Sequence, residues 1–143
     1  MATNFQTDFF EMTEINPEKV CRLAFKARAL QAKVAPEELA SGSNAIDDGL
    51  RSVLEDYADD AASESFLGEL EALAEDELTE VLAIAWVGRG IYEPEQWAEA
   101  AMEAEGMRHD EICRVLMATP LLSDYLESGI EAFGRTCQEF EPE

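Results

Sequence analysis

The segment that most constrains the fold reads ELTEVLAIAWVGRG and spans residues 77–90. Its apolar side chains do not keep to one stripe of a helix but surround most of it. A helix that is apolar nearly all round is stable in water only when other elements cover it. Asp76 could cap the start of such a helix, and Gly88 and Gly90 could end it. The sequence therefore predicts a central, buried helix over about residues 76–88.

Apolar residues also recur at helical spacing in the rest of the chain. The first run opens with Asn16 and Pro17, a capping residue followed by a proline at the first helical position, and we expect Pro36 to end it. Phe25 falls nearly opposite the apolar stripe of this helix, so either a second element covers it or it marks a contact surface. A Thr119-Pro120 pair is expected to start the last helix. The further predicted helices span about residues 47–58, 63–74, 94–106, 110–117 and 119–134.

Signals for β-strands are missing from the sequence: no run alternates between apolar and polar residues, and no hairpin turn joins two such runs. We therefore predict an all-α fold, a single-domain bundle of six to seven short helices around the central one. A length of 143 residues with 47% hydrophobic content suits one domain with a substantial core. We expect a flexible N-terminal tail at residues 1–15, the acidic helical domain at 16–135 and an acidic C-terminal tail at 136–143.

Charge is both high and segregated along the chain. The formal net charge is −22, and residues 52–88 contain eleven acidic residues but no Lys or Arg. Five of the ten bases lie within residues 19–33, mostly in a stripe beside the apolar face of the first predicted helix. Such a protein repels free nucleic acid and anionic membranes, and it attracts cations and basic proteins. The predicted interaction face consists of Glu55, Asp56, Asp59, Asp60, Glu64, Glu69 and Glu71.

The most acidic segment can be compared with a metal site. Residues 44–55 match several positions of a calcium-binding loop, but Ile46 stands where an oxygen ligand is needed, and the charge of Arg51 opposes the ion. Glu55 and Asp59 are four residues apart on one helix face and could share a divalent cation. The simpler interpretation is a solvated face that the basic stripe partly neutralises. The candidate metal ligands are Asp48, Glu55, Asp56, Asp59 and Asp60, and we predict no cofactor.

The three cysteines are Cys21, Cys113 and Cys137, which are far apart in sequence and form no CxxC pair. We expect unpaired thiols in a reducing compartment. His109, the single histidine, is four residues from Cys113, and together they could form a nucleophilic pair. Asp110 and Glu111 oppose the thiolate of such a pair, so the sequence favours a surface histidine beside a small buried thiol.

The N-terminal residues contain scattered apolar side chains, among them Phe5, Phe9, Phe10 and Met12. We expect a tail that docks on the body or frays, and a short linear motif for a partner's groove is the alternative. This segment does not have the pattern of a signal peptide, and the longest apolar run, residues 81–87, is too short to span a bilayer. The sequence thus predicts a soluble cytoplasmic protein.

Four segments carry a resemblance to known proteins: INPEKVCRLAFKARAL, GSNAIDDGLRSVLEDYADD, ELTEVLAIAWVGRG and TPLLSDYLESGIEAFG. In this order and spacing they resemble a bacterial family of small acidic proteins known only as a domain of unknown function. The resemblance runs from about Ile15 to Gly134 and implies a single all-helical domain in a bacterial cytoplasm. It implies no activity and identifies no catalytic or binding residue.

Three functional hypotheses follow from these features. The first is a non-enzymatic interaction or regulatory module whose acidic face binds a basic protein or the basic stripe of a second copy. The second is a DNA mimic, in which rows of carboxylates replace the phosphates that a DNA-binding protein recognises. The third is a divalent-metal-binding domain or metal-dependent enzyme that uses the carboxylates of residues 47–60.

Overall fold

A computed structural model describes residues 9–41 and 61–140, with the backbone alone from residue 32 to residue 41. These residues form α-helices and short 3₁₀ segments, and no strand occurs among them. The all-α prediction is confirmed. Residues 9–12 are helical, and the longer α-helices are α1 (Pro17–Ser41), α2 (Ala61–Ala72), α3 (Glu75–Arg89), α4 (Trp97–Glu105), α5 (His109–Ala118) and α6 (Leu122–Ala132). The 3₁₀ helices are Pro94–Gln96 and Cys137–Phe140.

The central helix of the bundle is α3, as the sequence predicts. It packs against α4, α5 and α6, and the side chains of Leu78, Val81 and Ile84 are completely buried. The expected cap at Asp76 is wrong, because the helix begins one residue earlier and Ala74 precedes it. The carboxylate of Glu77 reaches back and accepts the Ala74 N–H at 3.1 Å, which satisfies a backbone donor at the helix start.

The two glycines expected to end α3 have different roles. Gly90 does end the helix, with a left-handed φ of 93° that favours glycine. Gly88 instead lies inside α3, where this helix crosses α6. A Cβ atom at Gly88 would overlap the carbonyl oxygen of Tyr125 and lie 2.7 Å from the Gly129 nitrogen. A Cβ at Gly129 would in turn overlap Ile84, so the close approach of α3 and α6 requires both glycines.

The first helix starts as predicted but continues further. The side-chain oxygen of Asn16 accepts the Lys19 N–H at 2.8 Å, and Pro17 is the first helical residue. The helix runs through Pro36 to Ser41, so the expected stop is wrong. A proline removes one backbone hydrogen bond of a helix, and the bonds on either side can continue it. Phe25 is half-buried against the core, which resolves the sequence alternative in favour of coverage by other elements.

Thr119 and Pro120 do not start the last helix as expected. The Thr119 hydroxyl donates a 2.6 Å hydrogen bond to the carbonyl oxygen of Val115, so this residue closes the end of α5. Leu121 follows with a left-handed φ of 62°, and α6 begins at Leu122. A threonine hydroxyl can bond forward or backward along the chain, and here the preceding helix supplies the acceptor.

Residues 9–15 pack on the body of the protein, which is the docked alternative that the sequence leaves open for the N-terminal tail. The ring of Phe9 stacks on Phe133 with a centroid distance of 3.8 Å and meets Trp97 edge to face at 4.9 Å. Phe10 is 8% exposed and Ile15 is completely buried. The segment therefore covers apolar surface on α4 and at the end of α6.

The expectation that all three cysteines are unpaired is wrong. Cys21 on α1 and Cys137 in the last 3₁₀ helix form a disulfide, and their Cα atoms are 5.4 Å apart. Packing brings together two residues separated by 116 positions, a proximity that spacing in the sequence does not reveal. Cys113 is a free, buried thiol.

Candidate functional site

Three of the five bases of α1 form ion pairs with carboxylates of the same chain. The ammonium group of Lys19 lies 2.9 Å from a carboxylate oxygen of Glu77, which links α1 to α3. Lys26 pairs with Glu69 of α2 in the same way. On the other side of α1, Arg28 pairs with Glu127 of α6. These three ion pairs join α1 to three acidic helices and neutralise part of their charge.

The exposed face of α2 presents carboxylates that these bases do not reach. Phe66 and Leu70 are buried, whereas Glu64 and Glu71 project from the opposite side of the helix. These two acids are seven residues apart and therefore lie along one face. Within the described ranges, neither of them takes part in an ion pair, in contrast to Glu69. Of the predicted interaction face, Glu64, Glu69 and Glu71 are thus placed on one helix, and Glu55, Asp56, Asp59 and Asp60 lie outside the described residues.

The metal candidates of the sequence also fall outside the described residues. They are Asp48, Glu55, Asp56, Asp59 and Asp60. Among residues 9–31 and 61–140, no group of three or more His, Cys, Asp and Glu side chains is placed to hold a metal ion. The carboxylates described so far therefore provide no first coordination shell for Mg²⁺ or Ca²⁺, each of which needs several oxygen ligands.

Exposed carboxylates also occur on helices other than α2. Glu99 and Glu103 lie on the outside of α4, and Asp124 and Glu131 lie on the outside of α6. Because α2 packs on α1 and α5, whereas α4 packs on α3, these acids are distributed around the bundle. A DNA mimic requires carboxylates in two rows on one face, and the described residues alone do not form two such rows.

His109 and Cys113 do not form a nucleophilic pair. The Nε2 atom of His109 lies 3.2 Å from the carbonyl oxygen of Leu73, so the imidazole joins the start of α5 to the end of α2. Burial raises the pKa of the Cys113 thiol, and the charges of Glu71 and Asp110 raise it further. A raised pKa keeps the thiol protonated, whereas a nucleophile needs the thiolate.

A shallow pocket of about 240 Å³ lies beside His109, between the starts of α3 and α5 and the end of α4. Two helix N-termini in one pocket would suit an anion. Here, however, the carboxylate of Glu111 accepts the Arg108 N–H at 3.0 Å. The carboxylate of Glu77 accepts the Ala74 N–H in the same way. Three carboxylates also line the pocket, so its lining combines opposite charges. Its polar lining residues are Glu75, Asp76, Thr79, Glu105, Arg108 and His109.

Glu80 has a structural role that no pattern in the sequence predicts. Its carboxylate accepts backbone N–H groups of Glu14 at 2.9 and 3.1 Å and of Ile15 at 2.9 Å, and so anchors the N-terminal segment to α3. Burial raises the pKa of this carboxyl, an effect that outweighs the opposing one of the hydrogen bonds. The available signal was an acidic residue inside an otherwise apolar helix, which needs polar partners when it is buried.

The sequence of most of these helices matches a known protein family. The family described as "Protein of unknown function (DUF3775)" matches residues 63–135, which span α3 to α6 and nearly all of α2. Neither a curated protein nor a solved structure matches the chain. Among the described helices, none combines the length and apolar character needed to cross a membrane. With just over half of its 143 residues matched, the chain belongs to the family of proteins of unknown function described as DUF3775.

Proposed function

We propose that this protein is a non-enzymatic interaction module that binds a basic protein through an acidic face on α2. In this proposal the face consists of Glu64 and Glu71 together with the preceding acids Glu55, Asp56, Asp59 and Asp60. The observation that carries the proposal is the division of acidic residues on α2: Glu69 pairs with Lys26, whereas Glu64 and Glu71 project into solvent. A row of solvated carboxylates can meet the bases of a partner without first breaking ion pairs within the chain.

The charge balance favours a different protein as the partner over a second copy of this chain. Self-association would use the bases of α1, and three of the five, Lys19, Lys26 and Arg28, are already paired within the chain. A net charge of −22 also opposes the approach of a second copy, of free nucleic acid and of an anionic membrane. We therefore propose a basic partner protein.

The test is an affinity pull-down from a lysate of the source organism, with washes at low and then high salt and identification of the retained proteins by mass spectrometry. Three forms of the chain are compared: wild type, E64Q/E71Q, and the control E95Q/E131Q. Glu95 and Glu131 are exposed on the 3₁₀ helix Pro94–Gln96 and on α6, so the control makes the same charge change elsewhere. Circular dichroism establishes that all three are folded.

We expect one dominant protein at stoichiometric level with wild type and control, and a clear loss of it with E64Q/E71Q. Equal retention by all three forms would overturn the assignment to α2. A mixture of basic proteins that high salt removes equally from each form would overturn the proposal itself, because a negative surface alone explains it. A DNA-binding partner that DNA competes off would instead support the DNA-mimic alternative.

A further inference from the structure

The last 3₁₀ helix, Cys137–Phe140, is joined to α1 by a disulfide and makes few hydrogen bonds to the rest of the described chain. The side-chain hydrogen bonds of residues 135–140 stay within that segment, as far as the described residues show. Arg135 pairs with Glu139 at 2.7 Å, and the hydroxyl of Thr136 accepts the Gln138 N–H at 3.2 Å. The only backbone hydrogen bond from this segment to another described element is the 3.1 Å bond from Arg135 N–H to the Ile130 carbonyl oxygen.

The disulfide adds a connection to a distant element. Cys137 bonds to Cys21, which is completely buried on α1, and the 3₁₀ helix packs against α1 and α6. Phe140 packs partly on the core, and the guanidinium of Arg135 lies 5.9 Å from the centroid of its ring. Residues 135–140 therefore form a small unit with internal hydrogen bonds. The disulfide links this unit to one side of α1.

We propose that the Cys21–Cys137 disulfide is a reversible redox switch, which holds residues 135–140 against α1 when oxidised and releases them when reduced. Its reductant is a dithiol. One thiolate of the dithiol attacks a sulfur of the Cys21–Cys137 bond, forms a mixed disulfide with it and releases the other cysteine as a thiolate. The second thiolate of the dithiol then attacks the mixed disulfide and releases the second cysteine. The dithiol ends as a disulfide, and its two protons and two electrons are on Cys21 and Cys137.

The position of the bond favours local release over general unfolding. Cys137 is 6% exposed and lies in the last described element, so a small displacement of residues 135–140 brings its sulfur to a reductant. The close crossing of α3 and α6 is made by Gly88, Gly129 and Ile84, none of which lies in residues 135–140. Cys113 takes no part in the exchange, since it is buried and its pKa is raised. This inference is independent of the acidic face.

The test is hydrogen exchange with mass spectrometry on the full chain, oxidised, reduced with dithiothreitol, and reoxidised. We expect the amides of residues 135–140 and of the α1 turn around Cys21 to exchange roughly tenfold faster or more after reduction. We expect α3 and α6 to remain protected and the change to reverse on reoxidation. The variant C137S in oxidising buffer should match the reduced wild type, and C113A, which keeps the disulfide, should match the oxidised wild type.

Three outcomes would overturn the proposal. Unchanged exchange at residues 135–140 would mean that noncovalent packing holds the segment. Loss of protection from hydrogen exchange throughout the chain would mean that the disulfide stabilises the whole fold. A bond that dithiothreitol does not reduce in the folded protein would be a permanent cross-link. The comparison of reduced with oxidised wild type decides among these outcomes even if C137S does not fold.

Discussion

At the scale of single residues, the buried hydroxyl of Ser123 lowers the free energy of unfolding, and a substitution can remove this effect. Its side chain is completely buried in α6, and its hydroxyl has no hydrogen-bond partner within the described residues. A buried donor without a partner costs about 1–3 kcal/mol. We expect S123A to raise the free energy of unfolding by about 1 kcal/mol, measured by urea denaturation.

The control for this prediction is S128A in the same helix, where Ser128 is exposed. Both substitutions gain the higher helix propensity of alanine, so the difference between them isolates the buried hydroxyl. If S123A is no more stable than S128A, the hydroxyl of Ser123 has an acceptor and the prediction is wrong.

Glu77 contributes stability that depends on pH. The hydrogen bond from Lys19 lowers the pKa of this carboxyl, and the Ala74 N–H and the charge of Lys19 act in the same direction. A lowered folded-state pKa means that the stabilisation is present above the usual carboxyl range and is lost as pH falls through the folded-state value. E77Q should therefore lower stability by about 0.5–1 kcal/mol at neutral pH.

The difference between E77Q and wild type should shrink as the pH is lowered, because protonated Glu77 also lacks the charge. Urea denaturation at neutral pH and at successively lower pH, while both proteins remain folded, measures it. E75Q is the matched control, since Glu75 lies exposed in the same helical turn. An E77Q effect that does not change with pH would contradict the role assigned to the Lys19 pair.

At the scale of elements, the crossing of α3 and α6 depends on the absence of two side chains. A Cβ at Gly88 would overlap backbone atoms of α6, which cannot move aside as a flexible side chain can. We expect G88A to lower the free energy of unfolding by about 1–3 kcal/mol or more, because overpacking forces the helices apart. Thermal and urea denaturation measure the effect.

Gly68 provides the opposite case in α2. A Cβ there has no neighbouring atom within 4 Å, so G68A meets no obstacle. Alanine is favoured over glycine inside a helix by about 1 kcal/mol, and we expect G68A to be stabilised by about that amount. If G68A raises the free energy of unfolding and G88A lowers it, packing at the crossing, and not helix propensity, decides the outcome at Gly88. A stabilised G88A would refute the close crossing.

The elements differ in how far the sequence could predict them. The central position of α3 followed from its apolar side chains, and the start of α1 followed from the capping chemistry of Asn16 and Pro17. Gly88 was expected to end a helix, because glycine in a sequence signals a terminus unless a crossing helix is known to lie above it. The two backbone N–H groups that donate to the Glu80 carboxylate lie 65 and 66 residues away in the sequence, and no local pattern predicts such partners. The candidate site was predicted only in part, since helical spacing puts Glu64 and Glu71 on one face but does not show that Glu69 turns to Lys26.

At the scale of the whole molecule, a net charge of −22 opposes folding through self-repulsion. Monovalent salt screens this repulsion, and we expect it to raise the melting temperature. Mg²⁺ or Ca²⁺ at matched ionic strength should raise the melting temperature no further if screening is the whole effect. An additional shift with a divalent cation would contradict this prediction and support a metal site in residues 44–60.

The docked N-terminal segment has a consequence for the limits of the domain. Trp97 and Phe133 belong to the stretch shared with the family, but Phe9, which covers both, does not. The same holds for Cys21 and for the whole of α1, which packs along α6. We expect a chain cut to residues 63–135 to bind a dye specific for apolar surfaces and to associate, whereas the full chain does neither. The segment that the family shares is then shorter than the segment that this chain needs in order to cover its core.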